Sequence, residues 1–298
     1  MQSLRSRYYY YQLKRKLAQM KTLTFEQRRL AYDQLALERG NFAKEVTIER
    51  KSFGIYAGDM IQAKVHKSRG IIIYLHGGVY ALGSALSHRA VGTHLAKESG
   101  ADVFMFDYPL APERPYPAAL YDTVGLYRHL QHAFIDRPIA FAGDSAGAGL
   151  AIGAALVLRD ANDVMPVALG LLSPWTDLTH SNPSHQTKRA VDPFFSDPQR
   201  LVNAAKTYAG EHSLSDPLIS AQFANLKNLP PMLIQVGDYE ALLDDAIVLH
   251  RLAIEAGVQA QIQIWPKMWH VWQLLTGMMP EATTATKDLG QFLNQQFQ

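Results

Sequence analysis

Residues 138–156 read PIAFAGDSAGAGLAIGAAL, and the fold turns on how this stretch is parsed. Ile139 to Ala142 is a short apolar run of the length of a buried strand. Ala146 to Leu156 is alanine-rich and apolar, which suits a buried helix better than a second strand. Between them stand Gly143, Asp144, Ser145, Ala146 and Gly147. A chain turning that sharply from strand into helix brings backbone segments close together, so only small residues fit beside the central one. The pattern is G-x-S-x-G, which holds a serine in a strained turn at the top of a sheet. An incidental serine in a glycine-rich loop is the competing reading, and the rest of the chain decides between them.

Working outward, the segments flanking this turn alternate between strand-like and helix-like. Strands are expected at Val46–Phe53, Met60–Val65, Gly70–Leu75, Asp102–Phe106, Val167–Leu172, Met232–Val236 and Ala260–Trp265. Helical patterns lie near His88–Glu98, Tyr116–His132, Ala146–Arg159, Leu243–Ala256 and Glu281–Phe297. Several of the strands are apolar throughout, which indicates an α/β fold with a mostly parallel central sheet and helices on both faces. Active sites of such sheets lie at the carboxyl ends of the strands, where Ser145 falls. Residues 1–45 read as helices, basic at the start through Arg5, Arg7, Lys14 and Arg15, with one solvated face and one packing face. The alternation breaks at about residues 175–229, a polar excursion with a helical piece near Leu201–Ala209. An excursion at the loop end of a sheet can serve as a cap over the site, packed with the N-terminal helices. The expected organisation is therefore N-terminal helices over 1–45 and a catalytic domain over 46–298 that carries the cap insertion.

A chain of 298 residues, 48% apolar and 19% charged, is an ordinary globular composition. Its net charge of +2 gives no electrostatic case for a nucleic-acid partner. With no cysteine there is no disulfide framework, thiolate metal site or cysteine nucleophile. The N-terminus lacks the apolar run of a signal peptide and no stretch is apolar for long enough to span a bilayer. A cytoplasmic protein without stable membrane insertion is the expectation.

A serine hydroxyl becomes a nucleophile only when a base takes its proton and a third group orients that base. Of the eleven histidines, five follow Ser145. His250 lies within a helical pattern, and His180, His185 and His212 lie in the polar excursion. His270 follows the strand QIQIWP, in the loop WPKMWHVW before the last helix, and is the expected base. A structural histidine between Trp269 and Trp272 is the alternative. The acid is expected after the preceding strand, in MLIQVGDYEALLDDA, where Asp238 and Glu240 are loop residues and Asp244 and Asp245 open a helix. Position alone leaves that choice open. Tyr74–Ser84, YLHGGVYALGS, puts His76-Gly77-Gly78 directly after a strand, where backbone N–H groups can face a developing oxyanion together with the Ala146 N–H.

With HGGVYALGS, DYPLAPERPYPAAL, GDSAGAGLA, SPWTDLT, DPLIS, VGDYEALLDDA and WPKMWHVW in this order, the chain resembles the hormone-sensitive-lipase-like family of α/β-hydrolases, its bacterial esterases in particular. The resemblance runs from about Gly70 to Gln273. It implies an α/β-hydrolase core with a helical cap, hydrolysis of small carboxylic esters with short acyl chains, and no metal or organic cofactor. It implies Ser145 as nucleophile, His270 as base and Glu240 as acid, since Glu240 stands where many relatives carry an aspartate. Oxyanion donors are implied at Gly77, Gly78, Val79 and Ala146, with His76 bracing the loop. Val79 departs from the usual third glycine, and Trp269 from a proline, so the pocket's shape is what these changes put in question. Asp107, Glu113 and Arg114 are expected to anchor a buried loop network. Relatives pair through sheet edges or the last helix, which makes a homodimer an expectation. The rival readings are an amidase of formamidase type, separable by matched ester and anilide substrates, and a non-catalytic receptor on the same fold.

Overall fold

The computed structural model describes residues 2–20, 23–39, 41–65, 68–195 and 197–298. In chain order the elements are α1 (Leu4–Met20), α2 (Phe25–Arg39), β1 (Val46–Phe53), β2 (Tyr56–Ala63), β3 (Ile71–Leu75), α3 (Arg89–Ser99), β4 (Asp102–Phe106) and α4 (Ala118–Ala133). They continue as β5 (Ile139–Asp144), α5 (Ala146–Asp160), β6 (Leu169–Leu172), α6 (Ser184–Thr187), α7 (Pro198–Ala209), β7 (Met232–Gly237), α8 (Leu243–Glu255), β8 (Ala260–Trp265) and α9 (Pro280–Gln296). Among the described residues eight strands form one sheet in the order β1-β2-β4-β3-β5-β6-β7-β8, antiparallel across β1, β2 and β4 and parallel from there on.

The apolar strand runs are explained by burial on two sides. In β3, Ile71, Ile73 and Leu75 join the core formed with α4, α5 and α8, while Ile72 and Tyr74 join the opposite core formed with α3 and α9. Period-two alternation is present, but both faces demand apolar side chains, so the strand shows no polar positions. A third cluster joins Leu13, Leu17 and Met20 of α1 to Trp269, Trp272, Met279 and Ala282. The N-terminal helices thus pack beside the loop that carries His270. Among the described residues no helix is long and apolar enough to cross a membrane.

One expectation is displaced. β2 begins at Tyr56 rather than Met60, because a tight turn at Gly54 (φ +63°) pairs Phe53 directly with Tyr56. Gly58 lies inside β2, where a Cβ would come within 2.2 Å of the Met105 carbonyl of β4. Close backbone approach, and not turn formation, is its reason.

Candidate active site

The turn between β5 and α5 carries Ser145 at φ 54° and ψ −119°, a region that L-residues enter only under constraint. The constraint is visible on both sides. A Cβ on Gly143 would meet Gly147 and the Leu75 carbonyl at 2.7 Å, and one on Gly147 would lie 2.0 Å from that carbonyl. The Ser145 N–H donates to the Leu172 carbonyl at 2.9 Å, and its own carbonyl accepts from Ala148, Gly149 and Trp175. The elbow is therefore pinned to β3, β6 and α5 at once. Gly147→Ala is expected to lose about 3 kcal/mol of stability, read as a melting temperature roughly 5–10 °C lower. A variant melting within a degree of the parent would mean that the turn is not close-packed.

Ser145 Oγ stands 3.0 Å from His270 Nε2, and His270 Nδ1 stands 3.0 Å from Glu240 Oε2. All three residues are nearly or fully buried. The other carboxylate oxygen, Oε1, accepts from Ser173 Oγ at 2.7 Å and from the Gly237 N–H at 2.6 Å. Glu240 is thereby held at both oxygens, with Oε2 left for the imidazole. Ser173 Oγ also accepts the Val271 N–H at 3.2 Å, tying the histidine loop to the end of β6. Val79, Ser145, Ser173 and Val271 all have φ between +46° and +54°, so backbone strain gathers around this relay. Such a relay can pass a proton from a hydroxyl to an imidazole and hold the resulting cation.

The other acids left open by the sequence are engaged elsewhere. Asp238 accepts the Lys267 N–H, Asp244 accepts that of Ser184, and Asp245 accepts those of Thr176 and Asp177 and pairs with His185 Nε2 at 2.7 Å. His180 stacks edge-on against His185, a group apart from Ser145, and His212 lies against Tyr116. Trp269 and Trp272 are buried in the third cluster, while the His270 ring packs against Phe194 and Phe195, with centroids 5.6 and 4.7 Å away.

The loop after β3 corrects one expectation. The Gly77 N–H donates to Asp144 Oδ1 at 2.9 Å, so it is committed inside the loop and is not an oxyanion donor. Gly78 (φ +120°) and Val79 (φ +54°) line the same cavity as Ser145 and His270, and Ala146 opens α5, where the first N–H groups lack intrahelical partners. Asp144 also accepts from the Tyr74 hydroxyl at 2.9 Å and faces His88 Nε2 at 3.3 Å. Burial alone would raise its carboxyl pKa, yet His88, Tyr74 and the Gly77 N–H outweigh that and hold it below the usual value. The residue thus locks the oxyanion loop to the elbow. His76 bonds the Gly77 carbonyl through Nδ1 at 2.8 Å and stacks on Tyr108 at 4.3 Å. Burial, with His88 nearby, lowers its pKa to about 4, so it is neutral and donates through Nδ1–H. Loop support is its geometry.

Glu113 and Arg114 are exposed rather than buried. Glu113 instead receives both ends of the Arg29 guanidinium at 2.8 Å, and Arg29 also donates to the Ala81 and Ala111 carbonyls. That clamp fastens α2 to the loop that follows Val79. Asp107 accepts the Ala85 N–H at 2.6 Å and pairs with Arg50.

A cavity of about 90 Å³ lies at Ser145, walled by Leu13, Leu17 and Met20 of α1, Tyr32 of α2, and Phe194 and Phe195. A second, of about 450 Å³, shares Leu17, Met20, Val79, Leu82 and Phe194 with it. Sequence reasoning missed Ser173, Phe194 and Phe195 as parts of the site. Ser173 alone carried a signal, its position at a strand's carboxyl end.

Residues 72–274 match the family model described as alpha/beta hydrolase fold. The chain is 37% identical over 278 residues to an acetyl-hydrolase of Streptomyces hygroscopicus, covering 90% of this chain and 89% of that one. It is 35% identical over 236 residues to an esterase of Acinetobacter venetianus, covering 79% and 78%. A crystal structure of an esterase from the bacterial hormone-sensitive lipase family superposes with a TM-score of 0.94 at 35% identity over the whole of both chains. Another, of an esterase soaked with p-nitrophenyl butyrate, gives 0.92 at 33% over 99% of both. With the elbow, the relay and these likenesses together, the chain belongs to the α/β-hydrolase family, among the esterases of the bacterial hormone-sensitive lipase group.

Proposed function

We propose that the chain hydrolyses small carboxylic esters of short acyl length through an acyl-enzyme on Ser145. Ser145 Oγ attacks the ester carbonyl while His270 Nε2 takes its proton and Glu240 stabilises the imidazolium. The N–H groups of Gly78, Val79 and Ala146 receive the oxyanion. As the tetrahedral intermediate collapses, His270 protonates the departing alcohol. Water, deprotonated by the same histidine, then attacks the acyl-enzyme and releases the acid. The observation that carries this reading is the Ser145–His270–Glu240 relay at 3.0 Å per link, set at a strained elbow.

Residues 1–45 and the excursion at 175–229 act as a cap over the catalytic domain at 46–298. Support comes from Leu13, Leu17, Phe194 and Phe195, which they contribute to the cavity walls. The small volume at Ser145 favours short acyl chains, in keeping with one relative's description as an acetyl-hydrolase. A p-nitrophenyl ester series from acetyl to palmitoyl tests this: turnover is expected to peak at acetyl to butyryl. A peak at dodecanoyl or beyond overturns the short-chain reading, and no turnover from folded protein overturns the esterase itself. Pairing of two copies through a sheet edge or the last helix is supported by β1 and β8, which end the sheet. Sedimentation velocity is expected to give a dimer mass, and a monomer at high concentration rejects pairing.

A further inference from the structure

Asp192 is a buried carboxylate, 1% exposed, that the reaction above does not use. It sits in the excursion between β6 and β7, in the run Val191-Asp192-Pro193-Phe194-Phe195. Its Oδ2 accepts the Ala241 N–H at 2.8 Å, one residue past Glu240, and its Oδ1 accepts the Phe194 N–H at 2.9 Å. Phe194 and Phe195 are the rings packed against His270. One carboxylate therefore bridges the loop of the acid and the segment that walls the imidazole. The Tyr10 hydroxyl of α1 donates to the adjacent Val191 carbonyl at 2.9 Å, and the Tyr10 ring meets Trp269, beside His270, at 5.6 Å.

We propose that Asp192 is a positioning residue of the ester-hydrolysing site: it holds the Glu240 loop and the Phe194 wall in register, and its charge strengthens His270 as a base. The inference rests on the reading of His270 as that base.

The charged and titratable groups around Asp192 come from each packed element. Inside are His270 and Glu240; outside, Tyr10 and Lys14 of α1 and Arg189 line with Asp192 a cavity of about 260 Å³. The Asp192 carboxyl is pushed up to about 6: burial raises it most and Glu240 adds to that, while His270 and the two N–H donors offset part of the rise. The Asp192 carboxylate is fixed by the Ala241 and Phe194 N–H groups, between the loop of Glu240 and the rings packed on His270, and a negative charge held near an imidazole favours its protonated form. The linkage runs in one direction. A carboxyl whose folded pKa lies above its unfolded value of about 4 contributes stability below that pH and loses it as pH rises through about 6. At neutral pH the ionised group therefore costs the fold stability, which favours a role in the reaction over one in holding the chain together.

The test compares pH profiles of kcat/KM for wild type, Asp192→Asn and Asp192→Glu on p-nitrophenyl butyrate, with Ser145→Ala in parallel. The acid limb reports protonation of the base in the free enzyme. Removing the charge in Asp192→Asn is expected to move that limb down by about one pH unit and to lower the plateau about tenfold, with KM little changed. Asp192→Glu keeps the charge and is expected to keep the limb within about 0.3 unit, with a reduced plateau from altered geometry. A purely structural residue would lower the plateau and melting temperature without moving the limb. An unmoved limb in folded Asp192→Asn therefore overturns the proposal. Should that variant not fold, Asp192→Ser removes the same charge, and failure of both to fold makes Asp192 a determinant of the fold and overturns it equally. Turnover surviving in Ser145→Ala would instead sink the reading of the triad beneath it.

Discussion

Ser145→Ala is expected to lower kcat on p-nitrophenyl butyrate by about 10⁴-fold or more, leaving the melting temperature within roughly 2 °C of wild type. The substitution removes Oγ, the atom 3.0 Å from His270 Nε2, and with it the acyl-enzyme route. What remains is the oxyanion hole and whatever water His270 can activate, which in serine hydrolases is a small residue of the rate. The fold keeps almost everything. The strained φ of 54° belongs to the backbone, the Cβ survives, and the bonds from the Ser145 N–H and to its carbonyl involve no side chain. One hydrogen bond to His270 is lost, about 1 kcal/mol. Folded Ser145→Ala protein with more than about 1% of wild-type turnover would remove Ser145 as the nucleophile, since loss of such a group leaves far less.

The separation of backbone from side chain at this elbow also explains why so much of the site was legible in one stretch of sequence. Gly143 and Gly147 are demanded by contacts with the Leu75 carbonyl that any strand-to-helix turn of this kind makes, so local spacing encodes them. The same holds for strands whose two faces are both buried, such as Ile71–Leu75. What stayed hidden depends on distant partners. The need for glycine at 58 comes from the Met105 carbonyl, far along the chain in β4. Gly77 reads as an oxyanion donor because nothing local announces that Asp144 takes its N–H. Glu240 was separable from Asp238, Asp244 and Asp245 by resemblance alone, because all four stand in one loop and helix start. Only the three-dimensional arrangement shows the other three bonded elsewhere. Asp192, Phe194 and Phe195 lie in a polar excursion with no periodicity to read, and they reach His270 through the path of the loop.

The remaining large effect concerns the acid. Glu240→Gln is expected to lower kcat by about 10³- to 10⁴-fold with KM within a factor of about three, through a change of tautomer rather than loss of packing. The position of Oε1 accepts two hydrogen bonds, from the Ser173 hydroxyl and the Gly237 N–H, at 2.7 and 2.6 Å. In the amide that position selects the carbonyl oxygen, since an NH₂ there would face the Gly237 N–H donor. The NH₂ group is then turned toward His270 Nδ1, where Oε2 stood 3.0 Å away. Facing a donor, Nδ1 must become the acceptor, and the imidazole proton moves to Nε2, opposite Ser145 Oγ. A protonated Nε2 cannot take the serine proton, and the imidazolium of the transition state has lost its counter-charge. Shape is conserved throughout, so the melting temperature is expected to shift by only a few degrees. Asp238→Asn and Asp244→Asn, which change carboxylates bonded elsewhere, are expected to retain most of the wild-type kcat. If Glu240→Gln kept a tenth or more of wild-type kcat, Glu240 would not be the group that orients the imidazole.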